Sequence, residues 1–160
     1  AFGGSSLAEV FAKNYLNKGL TPDASDDGNS ENRMVINMKT VENEMKFDIT
    51  EFVVEAGKEV ELVLENVDFM QHNLIIVEPG TKEKVGAAAD KLAMDPNGAT
   101  QNYVPRMSEV LYATELLDPE QTVTLRFTAP SEPGEYPYIC TFPGHWRIMQ
   151  GVMKVVANPI

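Results

Sequence analysis

The chain has 160 residues, of which 43% are hydrophobic and 23% charged. That composition fits one globular domain with an appendage and excludes disorder throughout. Thirteen Lys and Arg against 24 Asp and Glu leave a net charge of −11, the wrong sign for a protein that neutralises phosphates, so no nucleic acid partner is expected. No run approaches the ~20 consecutive apolar residues of a membrane helix, and no membrane insertion by this chain is expected. The single cysteine, Cys140, excludes an internal disulfide, and the only histidines are His72 and His145.

Residues 5–19 read as a short amphipathic helix, with Ser6 and Glu9 as a capping box and Gly19 at its end. Residues 21–32 carry no large apolar side chain and several turn formers, which marks an acidic linker. The expected division is therefore 1–32, helix and linker, and 33–160, the folded domain.

From Arg33 the apolar period changes to two. Met34, Ile36 and Met38 alternate with polar neighbours, then Met45, Phe47 and Ile49, then Val60, Leu62 and Leu64, and later Val123, Leu125 and Phe127. Each set predicts a half-buried strand. Residues 72–77, 135–140 and 151–156 add three more, with turns at 56–57, 79–80 and 133–134. Seven to eight short strands predict an all-β Greek-key sandwich or barrel. Residues 79–121 are too long for a bare connection. They contain an alanine-rich helical stretch at 84–92 and a further strand signal at 110–114, and so predict a partly helical flap against the sandwich.

The chemistry concentrates in residues 140–151, CTFPGHWRIMQG, where four residues separate Cys140 from His145 and three separate His145 from Met149. Pro143 and Gly144 supply a turn able to fold a thiolate, an imidazole and a thioether inward. Thiolate and imidazole with a weak axial Met form a blue-copper set once a second His joins, and His72 is the only other histidine. Zinc also takes Cys and His, but it rarely recruits Met and wants a fourth strong ligand or an open position.

The run CTFPGH followed by Met and Gly resembles the ligand loop of the cupredoxins, the blue type 1 copper proteins, and within them the azurin and auracyanin group. Residues 45–77, MKFDITEFVVEAGKEVELVLENVDFMQHNLIIV, resemble that group's upstream strands and its His-Asn pair. The likeness covers roughly residues 33–157; the helix and linker before it match nothing in the azurins, and the azurin disulfide is missing.

The resemblance implies a cupredoxin sandwich or barrel holding one copper ion. His72 Nδ1, Cys140 Sγ and His145 Nδ1 would lie in its equatorial plane, Met149 Sδ on its axis, and the Gln71 backbone carbonyl on the opposite side. It further implies that Asn73 ties the first ligand segment to the cysteine loop, with Thr141 as its partner. The implied role is single-electron transfer between transient redox partners, cytochromes or oxidoreductases, with no catalytic step. The alternatives are a copper carrier or storage domain and the electron-entry domain of a larger redox protein. Copper nitrite reductases and multicopper oxidases need more histidines, and a dinuclear purple centre needs two cysteines; this chain has neither. The resemblance also implies an extracytoplasmic bacterial location, periplasmic or membrane-tethered, with a signal or further domain preceding Ala1.

Two features bear on docking. Phe142, Pro143 and Trp146 flank His145 and suit an apolar collar around it, with Met70 beside the first ligand, while Phe142 and Trp146 read equally well as core packing. Residues 131–160 hold two acids and two bases, so the whole −11 falls in residues 1–130, and the copper end is expected to be near neutral.

Overall fold

The computed structural model describes residues 33–158; the expected helix and linker in residues 1–32 lie outside the described residues. Eight strands and one α-helix follow in order: β1 (Arg33–Lys39), β2 (Glu51–Glu55), β3 (Glu59–Glu65), β4 (Ile75–Val77), α1 (Lys82–Ala93), β5 (Val110–Ala113), β6 (Thr122–Thr128), β7 (Gly134–Ile139) and β8 (Gln150–Val156). One sheet has the order β1-β3-β6 and the other β2-β8-β7-β4-β5. β1 runs parallel to β3 and β2 parallel to β8, while the remaining pairs are antiparallel. Two separate sheets make this a sandwich and not a closed barrel.

The core follows from side-chain alternation. Ile36 and Met38 of β1, with Val60, Leu62 and Leu64 of β3, face Phe52 and Val54 of β2, Tyr136 and Tyr138 of β7, and Met153 and Val155 of β8 in one apolar cluster. β4 is buried on both faces. Ile76 enters this main cluster, whereas Ile75 and Val77 pack with Val85 and Ala89 of α1, Ile139 and Trp146 in a second. That double burial explains why residues 74–77 read as an unbroken apolar run. The flap is real, and its helix is longer than the stretch expected at 84–92.

Two strand expectations are corrected. Residues 45–49 form no strand: Phe47 makes a single bridge to Thr40, and the ladder begins at Glu51. The diversion is local, because the Lys39 amide donates to the Asp48 carboxylate at 2.8 Å while the Asp48 amide donates back to the Lys39 carbonyl at 2.8 Å. Phe47 and Ile49 are buried as loop residues, so their alternation marks core contact without a ladder. The strand expected at 72–77 is only Ile75–Val77. His72 makes one isolated bridge to Leu117, and the Leu74 amide donates to the Thr114 hydroxyl at 3.0 Å. The segment carrying His72 and Asn73 is thus released from the sheet.

Candidate metal centre

Cys140 lies immediately after β7, and the loop that follows is closed at its base, where the Cys140 amide donates to the Met149 carbonyl at 3.1 Å. Inside it, the His145 amide donates to the Phe142 carbonyl at 3.0 Å, and the amides of Ile148 and Met149 donate to the His145 carbonyl at 3.0 and 2.8 Å. Gly144 takes φ 84°, the left-handed conformation the turn demands. These bonds turn His145 inward beneath the end of β7. His72 arrives from the opposite segment, held by Leu117 through reciprocal backbone bonds of 3.1 and 2.8 Å.

His72, Cys140 and His145 are all buried, and their candidate ligand atoms lie within 4.8 Å of one another. Cys140 Sγ stands 3.7 Å from His72 Nδ1 and 3.8 Å from His145 Nδ1. With bonds of about 2.3 Å to sulfur and about 2.05 Å to nitrogen, a metal at a trigonal 120° angle sets S and N about 3.8 Å apart, and a tetrahedral angle about 3.6 Å. The observed separations are those of ligands that share one metal ion.

The charge balance also calls for a cation. Burial pushes the Cys140 thiol up to about 12, against the opposing backbone N–H groups of Asn73 and Phe142. Burial pushes His145 down to about 4, with the His72 charge acting in the same direction. Neither a bare Cys140 thiolate nor a His145 imidazolium is favoured here, whereas a metal ion supplies the positive charge that stabilises the thiolate. Soft sulfur beside two imidazoles in a closed, dry pocket fits copper.

Around this triangle lies a set of fixed hydrogen bonds. The Asn73 amide points at Cys140 Sγ, 3.5 Å away. The Asn73 side chain donates to Thr141 Oγ1 at 2.9 Å and accepts from the Thr141 amide at 2.7 Å. Sequence reasoning missed the next layer. Asn73 Nδ2 also donates to the Asn102 carbonyl at 2.8 Å, and Thr141 Oγ1 donates to the Tyr103 carbonyl at 2.6 Å. Asn102 and Tyr103 both sit at positive φ, 56° and 52°, a costly pair for non-glycine residues. This turn of the flap aims two carbonyls at the site, and no side-chain motif announces it.

Asp68 was missed as well. His72 Nε2 lies 2.8 Å from Asp68 Oδ2, with both side chains buried. Burial opposes ionisation of Asp68, but the bond from His72 and the backbone N–H groups of Asn43 and Phe69 outweigh it and hold the carboxyl below its usual range.

Met149 is fully buried in the same apolar cluster as Cys140. Gln71 is half-buried, and its side chain donates to Asp118 at 2.6 Å. The expected collar needs correction at Trp146, which is only 8% exposed. Its indole packs against α1, donates to Asp90 at 3.0 Å and lies under the Arg147 guanidinium, 4.5 Å from the ring centroid. Phe142, Pro143 and Met70 are half-buried, and the more exposed apolar side chains are Phe69, 65% exposed, just before the first ligand segment, and Ile148, 58% exposed, in the ligand loop.

Residues 34–156 match the family model described as copper binding proteins, plastocyanin/azurin family. The chain belongs to this family. It is 39% identical to auracyanin-A of Chloroflexus aurantiacus over 117 residues, covering 72% of this chain and 68% of that protein. It is 29% identical to an azurin of Achromobacter denitrificans, covering 69% of this chain and 77% of the azurin. Among solved structures, auracyanin A, titled a "blue" copper protein from the same Chloroflexus species, superposes with a TM-score of 0.68 at 35% identity, over 78% of this chain and 99% of that one. Copper is therefore the cofactor of this cupredoxin domain, and His72, Cys140 and His145 are positioned as a single candidate site for it.

Proposed function

We propose that this protein is a one-electron carrier. His72 Nδ1, Cys140 Sγ and His145 Nδ1 would hold its type 1 copper, with the Met149 thioether and the Gln71 carbonyl as weaker additional ligands. The observation that carries the reading is the buried triangle of Cys140, His72 and His145 at metal-sharing distances, with sulfur and one imidazole each held by a hydrogen bond. Bound copper supplies exchange of one electron between its cupric and cuprous states. The protein's part is to keep the ligands in place through that exchange, to exclude water and to tune the potential. Asn73 and Thr141 lock the cysteine loop to the first ligand segment, which limits the rearrangement accompanying each transfer.

The partners are transient redox proteins, such as cytochromes or oxidoreductases. They meet a small apolar contact at Phe69 and Ile148, the exposed hydrophobics nearest in sequence to the ligands. Likeness to azurin and auracyanin supports work outside the bacterial cytoplasm, periplasmic or membrane-tethered. Among the described residues no helix is long and apolar enough to cross a membrane.

Expression in copper-replete cells should yield one copper per chain. The oxidised protein should be intensely blue, with narrow copper hyperfine splitting in electron paramagnetic resonance, and Cys140→Ser should abolish the colour. Stoichiometric zinc, together with no blue colour when Cu(II) is added to apoprotein, would overturn the proposal.

A further inference from the structure

We propose that Asp68 is a positioning residue for His72: its buried carboxylate holds the Nε2 proton, leaves Nδ1 free to face Cys140, and by its charge lowers the reduction potential of the metal bound there. The part concerning potential rests on the copper reading given above.

With Asp68 as a carboxylate and His72 as a neutral ring, the contact has one arrangement of the proton. An ionised carboxylate can only accept, and a neutral imidazole carries a single N–H. With Asp68 Oδ2 2.8 Å from Nε2, the proton sits on Nε2 and the lone pair on Nδ1, the atom 3.7 Å from Cys140 Sγ. The carboxylate is itself held. Its Oδ1 accepts from the Asn43 amide at 3.0 Å, and its own amide donates to Asn66 Oδ1 at 3.0 Å. Asn66 is in turn fixed by Thr40 Oγ1, which donates to it at 3.1 Å, and by its own bonds to the carbonyls of Met70 and Leu117 at 2.9 and 3.2 Å. Leu117 is also the residue that grips the His72 backbone. Ring and backbone of His72 are thus tied to one buried network, which leaves the imidazole no freedom to turn.

The arrangement is one-sided. Among the described residues no carboxylate bonds the His145 ring, which packs against Phe142 at a centroid distance of 4.9 Å. Direct hydrogen bonding to a carboxylate is thus confined to His72, although the Asp68 charge also reaches His145 through space. A carboxylate behind a ligating imidazole raises its basicity, and removal of such partners costs about 10- to 100-fold in metal affinity. The extra negative charge favours the doubly charged ion over the singly charged one. Loss of the charge should therefore weaken Cu(II) binding about tenfold more than Cu(I) binding, which corresponds to a midpoint potential about 59 mV higher.

Two measurements decide the matter. Nitrogen NMR of the copper-free protein at roughly pH 9, well above the ordinary imidazole value, reads the His72 tautomer without any metal. Wild type should show one tautomer, protonated at Nε2, and Asp68→Ala should show a mixture. A wild-type mixture, or a proton on Nδ1, overturns the assignment. Asp68→Asn removes the charge but leaves one acceptor oxygen for two donors, Nε2 and the Asn43 amide, so it is read for the charge alone and should show the tenfold change in the Cu(II) to Cu(I) affinity ratio. A folded Asp68→Asn protein whose ratio lies within twofold of wild type overturns the electrostatic role, and Asp68→Asn serves alone if Asp68→Ala fails to fold. A wild-type protein that takes up no copper removes the proposed function and the potential effect with it, while the NMR result still decides whether Asp68 sets the tautomer of His72.

Discussion

Gly86→Ala should destabilise this protein, although an alanine in a helix ordinarily does the opposite. Gly86 lies on the buried face of α1, and a Cβ built there would fall within 2.5 Å of three atoms of the Trp146 indole. The ring has little room to retreat. Its Nε1 is bonded to Asp90, Arg147 covers it at 4.5 Å, and the same Arg147 pairs with Asp90 at 2.7 Å. Carbon atoms want about 3.5–4.0 Å, so helix and ring must separate by roughly 1 Å. Overpacking of this kind costs about 1–3 kcal/mol, and a rigid aromatic neighbour puts the cost in the upper half of that range. Alanine recovers about 0.8–1.0 kcal/mol in helix propensity. The expected net loss is about 1–2 kcal/mol, a fall of roughly 3–8 °C in Tm for a chain of this size. Thermal unfolding of the apoprotein measures it, with Ala87→Gly on the exposed side of α1 as the control for propensity alone. Because Trp146 adjoins His145, the copper-loaded variant should also show an altered visible spectrum. A Gly86→Ala protein with a Tm equal to or above wild type would refute the claim that α1 and the ligand loop are packed against each other through this contact.

Asn73→Ala removes two bonds to Thr141 and one to Asn102 in a buried setting; stranded partners of this kind cost about 1–3 kcal/mol each, so urea unfolding of the apoprotein should show a loss of about 2–4 kcal/mol, and a loss below about 1 kcal/mol would contradict it. Burial, reinforced by the charges of Glu132 and Glu78, raises the Tyr136 phenol above its ordinary value. The unfolded chain therefore gives up this proton first, so stability is full below about pH 10 and falls as pH rises beyond it. Tyr136→Phe should flatten the alkaline slope seen in denaturant titrations, and an unchanged slope would count against it. Glu42→Lys combined with Glu44→Lys should slow electron transfer to a basic c-type cytochrome at low salt and converge with wild type as ionic strength rises; stopped-flow rates that respond to neither the substitutions nor salt would sink the steering role.

What the sequence disclosed, and what it hid, follows from the range of each interaction. β1, β3 and β6 were legible because each keeps one face against the core, so the period of two survives in the residues themselves. The His72, Cys140, His145 constellation stood out because those residue types are scarce in this chain. β2 was hidden by the stronger alternation at residues 45–49, which the Asp48 side chain diverts out of the ladder. Asp68 was hidden in a loop where a carboxylate ordinarily means a turn. Only the fold, by closing Asn43 and Asn66 around it, turns it toward His72. The carbonyls of Asn102 and Tyr103 belong to the backbone, and their aim depends on two successive left-handed residues that sequence rules do not anticipate. Trp146 was open between collar and core because its neighbours in sequence decide nothing; its partner is a helix some sixty residues earlier, selected by a glycine whose bare face admits the ring.

Local charge at the copper end follows the same logic. The acids and bases of residues 131–160 cancel, but the end of a sandwich is built from loops drawn from the whole chain. The Asn43 amide on Asp68 brings the turn carrying Glu42 and Glu44 against the first ligand segment, and the bond from Gln71 to Asp118 brings a second acidic loop to the same segment. Arg147, the one cation of the ligand loop, is bound to Asp90. Loops carrying Glu42, Glu44 and Asp118, with Lys46 in the first of them, thus join the first ligand segment, and a count over residues 131–160 leaves them out. On the electron-transfer reading proposed above, acidic loops at this end would favour a partner carrying basic groups around its own redox centre, since charge then accelerates encounter while a limited contact area keeps the complex short-lived.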